Sequence, residues 1–167
     1  MENDLALSKK VGEQLIRKKL SLATAESCTG GLLGHLLTNV AGSSDYYLGG
    51  FVVYSNQAKQ RFLGVSPETL VAHGAVSEET VIEMAEGARK AFEGIQEKRK
   101  IVGVSISGIA GPGGSMPAKP VGTVWIGLAG EKGILARHYQ FNGDRETIKA
   151  QSARQALRLL LEFLSIK

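Results

Sequence analysis

The sequence predicts an α/β fold, specifically a three-layer α/β/α domain on a mixed sheet. Three observations carry this. Through the first half of the chain, short apolar or β-branched runs alternate with segments of helical periodicity. In the second half, three strand-length runs at 101–106, 122–129 and 133–141 follow one another without a helix between them. Finally, 167 residues suffice for one domain that buries about 70% of its unfolded surface without staples. Strands separated by helices favour parallel pairing and consecutive strands favour antiparallel pairing, so the sheet is mixed and covered on both faces. With no repeat, linker or low-complexity tract, a single domain over residues 1–167 is expected.

The expected element order is α-β-α-β-α-α-α-β-β-β-α. Residues 5–19 place Leu5, Leu7, Val11, Leu15 and Ile16 at helical spacing behind Asp4 as a cap. Leu20 to Ala25 reads as a strand, and Leu32, Leu33, Leu36, Leu37 and Val40 as a helix face. Tyr46 to Tyr54 is aromatic and β-branched, and its Gly49-Gly50 pair signals a bulge or a close backbone approach. Helices are expected over Asn56 to Leu63, from Pro67, and behind Ser77, where Val76 and Val81 form a hydrophobic staple and Val81, Met84, Ala85, Ala88 and Phe92 face the core. Asp144 caps the last helix, with Ala153, Leu157, Leu160, Leu161 and Leu164 as its apolar stripe.

Charge and cysteine content narrow the function. Twenty Lys and Arg against 16 Asp and Glu give a net charge of +4. The clusters Arg17-Lys18-Lys19 and Lys98-Arg99-Lys100 sit at expected helix ends, where cations complement the dipole. Without interleaved aromatics they read as solvated ends, so nucleic acid is not an expected partner and a small anionic substrate is compatible. The lone Cys28 excludes an internal disulfide and fits a reducing, cytoplasmic setting. Residues 1–20 carry Glu2, Asp4, Glu13 and five Lys or Arg, which argues against a signal peptide or a membrane span. His35, His73 and His138 have no ligand-type neighbour at i+3 or i+4, so no metal site is expected.

The chemistry concentrates in Ala25-Glu26-Ser27-Cys28-Thr29-Gly30-Gly31, where a strand turns into a helix with a hydroxyl on the bend. The first N–H groups of a helix lack internal partners, so they can hold a phosphate, a carboxylate or an oxyanion. The same string also fits an ordinary helix cap with Thr29 as N-cap. Cys28 is an alternative nucleophile, since a helix N-terminus lowers a thiol pKa. Tyr54 and Lys59 flank another strand-to-helix junction and can reach the same sheet edge. A serine hydroxyl needs a base, and a lysine serves as one only when burial or a neighbouring cation lowers its pKa. Read alone, they also fit a core tyrosine and an exposed helical lysine.

Ser107 to Gly114 is a glycine-rich loop behind a strand, yet it has neither the Gly-x-Gly-x-x-Gly order nor the Lys-Ser/Thr of a P-loop. It is either a ligand loop or a long hairpin connection. Arg145 occupies the first position of the last helix, where the dipole disfavours a cation. Either a bound phosphate or carboxylate or a nearby glutamate such as Glu146 would offset that cost.

Seven strings stand in order along nearly the whole chain: Thr24 to Gly31, Gly42-Ser43-Ser44, Tyr54-Ser55-Asn56 with Lys59, His73 to Ser77, Ser107 to Pro112, Lys119 to Thr123, and Gly143-Asp144-Arg145. Together they resemble the C-terminal domain of the competence/damage-inducible protein CinA, in its stand-alone form without the molybdopterin-binding-like N-terminal domain. The resemblance implies a nicotinamide mononucleotide deamidase of bacterial pyridine-nucleotide salvage, which releases nicotinate mononucleotide and ammonia without a cofactor. It implies Ser27 as nucleophile, Tyr54 and Lys59 as its activating partners, and Arg145 at the substrate. Amides around Thr29, Gly30 and Gly31 would stabilise the oxyanion, and the Gly108 to Gly111 loop or Arg145 would hold the 5′-phosphate. A homo-oligomer is compatible with this reading. Ser115-Met116 departs from the further Gly and Thr usual in the family. The competing readings are a nucleotide-binding module that breaks no bond, and an amidase built on Gly42-Ser43-Ser44, which is disfavoured because amidase-signature enzymes are far longer chains.

Overall fold

The computed structural model describes residues 3–166; residues 1, 2 and 167 of the expected domain lie outside them. The elements are α1 (Asp4–Lys18), β1 (Ser21–Glu26), α2 (Leu32–Thr38), β2 (Tyr47–Val52), α3 (Asn56–Leu63), α4 (Pro67–His73), α5 (Glu78–Ala91), β3 (Ile101–Gly108), β4 (Thr123–Gly130), β5 (Gly133–Gln140) and α6 (Arg145–Ser165). Their order is the expected one. Two 3-10 turns, Ser43–Asp45 and Lys98–Lys100, add to it. The five strands form one mixed sheet in the order β2-β1-β3-β4-β5. β1 runs parallel to β2 and β3, while β4 and β5 are antiparallel neighbours of what precedes them.

Alternation along the strands sorts residues between two layers. Leu22, Val102, Val104 and Ile106 join the apolar cluster under α1, α2 and α6, whereas Ala23, Ala25 and Ile101 join the one under α3, α4 and α5. The second face is built of small residues so that α5 can come close. A Cβ added at Gly103 would stand 2.1 Å from the Ala85 carbonyl oxygen, and one at Gly127 would stand 2.6 Å from that of Val81. The glycine pair of β2 is used in both expected ways: the register shifts between the Leu22–Tyr47 and Ala23–Gly49 pairs, and a Cβ at Gly50 would stand 1.9 Å from Thr24 Oγ1.

The helix ends largely follow local rules. Ser55, Ser66, Ser77 and Asp144 each accept the N–H of the residue three further on. Three details differ. Asn3, not Asp4, caps α1, because its side chain reaches the Ala6 N–H at 2.8 Å. Gly31, not Thr29, stands at the start of α2 and offers no side-chain cap. On α6, Leu161 is only half-buried, while Ala156, Leu159 and Phe163 are buried beside the expected stripe.

The basic clusters have local roles. Lys19 ends α1 in the left-handed conformation, and Lys98, Arg99 and Lys100 pair with Glu86 and Glu97. Among the described residues no helix is long and apolar enough to cross a membrane. From β1 the chain moves outward to β2 and then back across β1 to β3, so the carboxyl ends of β1 and β3 form a topological switch point, where open α/β sheets bind ligands.

Candidate active site

Ser27 leaves β1 at this switch point, its N–H donating to the Ile106 carbonyl at 3.0 Å. Across the parallel pair, the Val53 N–H donates to the Glu26 carbonyl at 2.8 Å, which brings the β2–α3 junction beside the serine. Lys59, one turn into α3, is 1% exposed. Its Nζ lies 3.1 Å from Ser27 Oγ, 3.0 Å from the Val53 carbonyl oxygen and 3.2 Å from that of Tyr54. Burial lowers the Lys59 pKa from its ordinary value, since desolvation penalises the ammonium. A neutral amine has two N–H bonds and one lone pair. As the ammonium, Lys59 donates to Ser27 Oγ and to both carbonyls; once neutral, its two N–H bonds would suffice for the carbonyls and its lone pair would face the Ser27 hydroxyl.

Tyr54 takes part in the site through two groups. It supplies its carbonyl to Lys59, while its hydroxyl accepts from Arg145 Nη2 at 2.6 Å. Arg145 Nη1 donates to the Gly111 carbonyl at 2.6 Å, so one guanidinium ties the β2–α3 junction to the glycine loop. Neither Glu146 nor another carboxylate pairs with Arg145 among the described residues. Ser27, Cys28, Tyr54, Lys59, Gly108 and Ala110 share one open cleft. Gly108 is also constrained from behind: a Cβ there would stand 2.6 Å from Val124 Cγ2.

The turn after Ser27 is held by a residue that sequence reasoning missed. Glu26 is 2% exposed, and its carboxylate accepts the N–H groups of Gly31, Leu33 and Gly34 at 3.1, 3.0 and 2.8 Å. The Gly30 N–H goes to the Ser27 carbonyl. The Gly30 and Gly31 amides expected around an oxyanion are therefore engaged within the fold, and of that run the Thr29 N–H has no partner among the described residues. Glu26 escaped notice because capping signatures look at the residue next to a helix, whereas this carboxylate reaches forward from the end of a strand. The Thr29 hydroxyl is buried without a partner among the described residues. Cys28 is also buried, and desolvation pushes its thiol up to about 12, opposite to the lowering expected at a helix start and unfavourable for a thiolate nucleophile.

The remaining expectations fall outside the cleft or at its edge. His35 contacts Asn39, His73 pairs with Glu79, and His138 packs on Trp125. Among the described residues no three His, Cys, Asp or Glu side chains converge. Gly42 precedes, and Ser43 and Ser44 open, the separate 3-10 turn, and none of the three lines the cleft. Met116 and Lys119 exchange backbone hydrogen bonds at 2.9 Å, closing the tip of the β3–β4 connection. Lys119 Nζ anchors that connection to the His73 carbonyl at 2.7 Å.

The model of the CinA C-terminal domain matches residues 4–164 of this sequence. The chain belongs to the CinA C-terminal domain family. Among family relatives it is 47% identical over 157 residues to the Escherichia coli protein named nicotinamide-nucleotide amidohydrolase PncC, covering 93% of this chain and 92% of that one. It is 51% identical to a putative competence-damage inducible protein of Moorella thermoacetica, covering 95% of this chain. The chain spans 37% and 38% of the length of that relative and of a CinA-like protein of Salinibacter ruber. A CinA superfamily crystal structure from Klebsiella pneumoniae superposes with a TM-score of 0.90 at 37% identity, covering 98% of this chain and 99% of that one.

Proposed function

We propose that this chain hydrolyses the carboxamide of nicotinamide mononucleotide, giving nicotinate mononucleotide and ammonia in pyridine-nucleotide salvage. The observation that carries the reading is the buried Lys59 amine 3.1 Å from Ser27 Oγ, fixed by two carbonyls. The family relative named for this activity, 47% identical over nearly its whole length, supports the substrate.

In this reading Lys59 takes the Ser27 proton as Oγ attacks the carboxamide carbon, and the carbonyl electrons move to oxygen, which the Thr29 N–H receives. The Lys59 ammonium then returns that proton to the amide nitrogen as the C–N bond breaks. Ammonia leaves, and the acyl group remains on Ser27. Water attacks the ester with Lys59 again as base, and the proton goes back to Ser27 as nicotinate mononucleotide departs. Tyr54 orients Lys59 through its carbonyl. Arg145 holds Tyr54 and the glycine loop together and presents its remaining N–H groups to the substrate. No step calls for a metal or a cofactor.

Purified protein given nicotinamide mononucleotide is expected to release ammonia and nicotinate mononucleotide in equal amounts. Unchanged mononucleotide after prolonged incubation would contradict the proposal.

A further inference from the structure

Lys149 lies one turn beyond Arg145 on α6, on the side facing the turn that follows Ser27. A Cβ built on Gly30, whose φ is +64, would meet a single neighbouring group within 4 Å, the Lys149 ammonium at 3.7 Å. Lys149 is half-buried and has neither a hydrogen bond nor an ion pair among the described residues. Two cations four residues apart repel each other, and among the described residues neither has a carboxylate within ion-pair distance. Arg145 at least spends two donors on Gly111 and Tyr54. Lys149 has all three free, and Gly30 carries no side chain that would cover it.

From these observations we infer that Lys149 is the principal ligand of the substrate's phosphate monoester and so sets the preference for a nucleotide over its nucleoside. Arg145 acts mainly as the strap that shapes the cleft. The phosphate enters over Gly30, where a side chain would displace it, while the carboxamide reaches Ser27 at the other end of the same turn. This assignment rests on the deamidase reading for the identity of the substrate.

The test compares Lys149→Met and Lys149→Arg with the parent on nicotinamide mononucleotide and on nicotinamide riboside, alongside calorimetric binding of ribose 5-phosphate. Lys149→Met is expected to lower the mononucleotide-to-riboside ratio of kcat/KM by about ten- to a hundredfold, the worth of a charge-assisted hydrogen bond. It should weaken ribose 5-phosphate to a similar degree, and Lys149→Arg should restore most of both. Equal losses on the two substrates, or ribose 5-phosphate binding that survives Lys149→Met, would overturn the assignment. If the parent released no ammonia, the deamidase reading would fall, while the ribose 5-phosphate arm would still decide whether Lys149 holds a phosphate.

Discussion

At the scale of single residues, the proposed chemistry depends on the protonation state of Lys59. The fold lowers its pKa by burial, so the base form becomes available below the ordinary lysine value. Activity on nicotinamide mononucleotide is therefore expected to rise with pH along a limb whose midpoint lies below 10.5. Lys59→Ala should abolish that limb and lower kcat by about 10²–10⁴-fold with a much smaller change in substrate affinity. A matching loss in affinity alone would make Lys59 an anchor instead. The same shift affects stability. Between its lowered folded value and 10.5, the unfolded chain binds a proton that the folded chain does not, so this residue's contribution favours folding more as pH rises through that window. The sequence placed Ser27, Tyr54 and Lys59 near one edge, but their division of labour was not legible. That Tyr54 gives Lys59 a carbonyl and Arg145 a hydroxyl depends on side-chain direction, which neither motif nor spacing specifies.

At the scale of elements, the least legible feature is the start of α2. Its seven residues are too few to stand alone, and no adjacent side chain caps it. Three N–H groups converge instead on the Glu26 carboxylate from the end of β1. Glu26→Ala is expected to cost about 3 kcal/mol or more, since hydrogen bonds to charged groups are worth roughly 1.5–3 kcal/mol each. The measurement is the urea midpoint, and a shift equivalent to less than about 1 kcal/mol would show that water replaces the carboxylate without loss. By contrast α3, α4, α5 and α6 announced their starts in the sequence. Each has a Ser or Asp cap immediately before its first residue, so local hydrogen bonding alone determined where they begin.

At the scale of the whole molecule, periodicity and the helix-free run of three strands were enough to show a mixed sheet between helical layers. The strand order was not legible, because nothing in the residues of β2 says that it pairs outside β1 rather than beside β3. That order creates the switch point, and the switch point brings together Ser27 from β1, Lys59 from α3 and the glycine loop from β3. The layer spacing behind it is set by backbone contacts. Gly103→Ala would push a methyl against the Ala85 carbonyl, and a loss of about 1–3 kcal/mol is expected from overpacking, read as a lower thermal midpoint. An unchanged midpoint would mean that α5 shifts freely on the sheet.

The claim that joins these scales is that Ser27 is the nucleophile. The most direct measurement is turnover of nicotinamide mononucleotide by Ser27→Ala at saturating substrate, with binding followed by calorimetry. The account predicts a folded protein that still binds the mononucleotide and releases no ammonia. A variant that turns over within tenfold of the parent would contradict it.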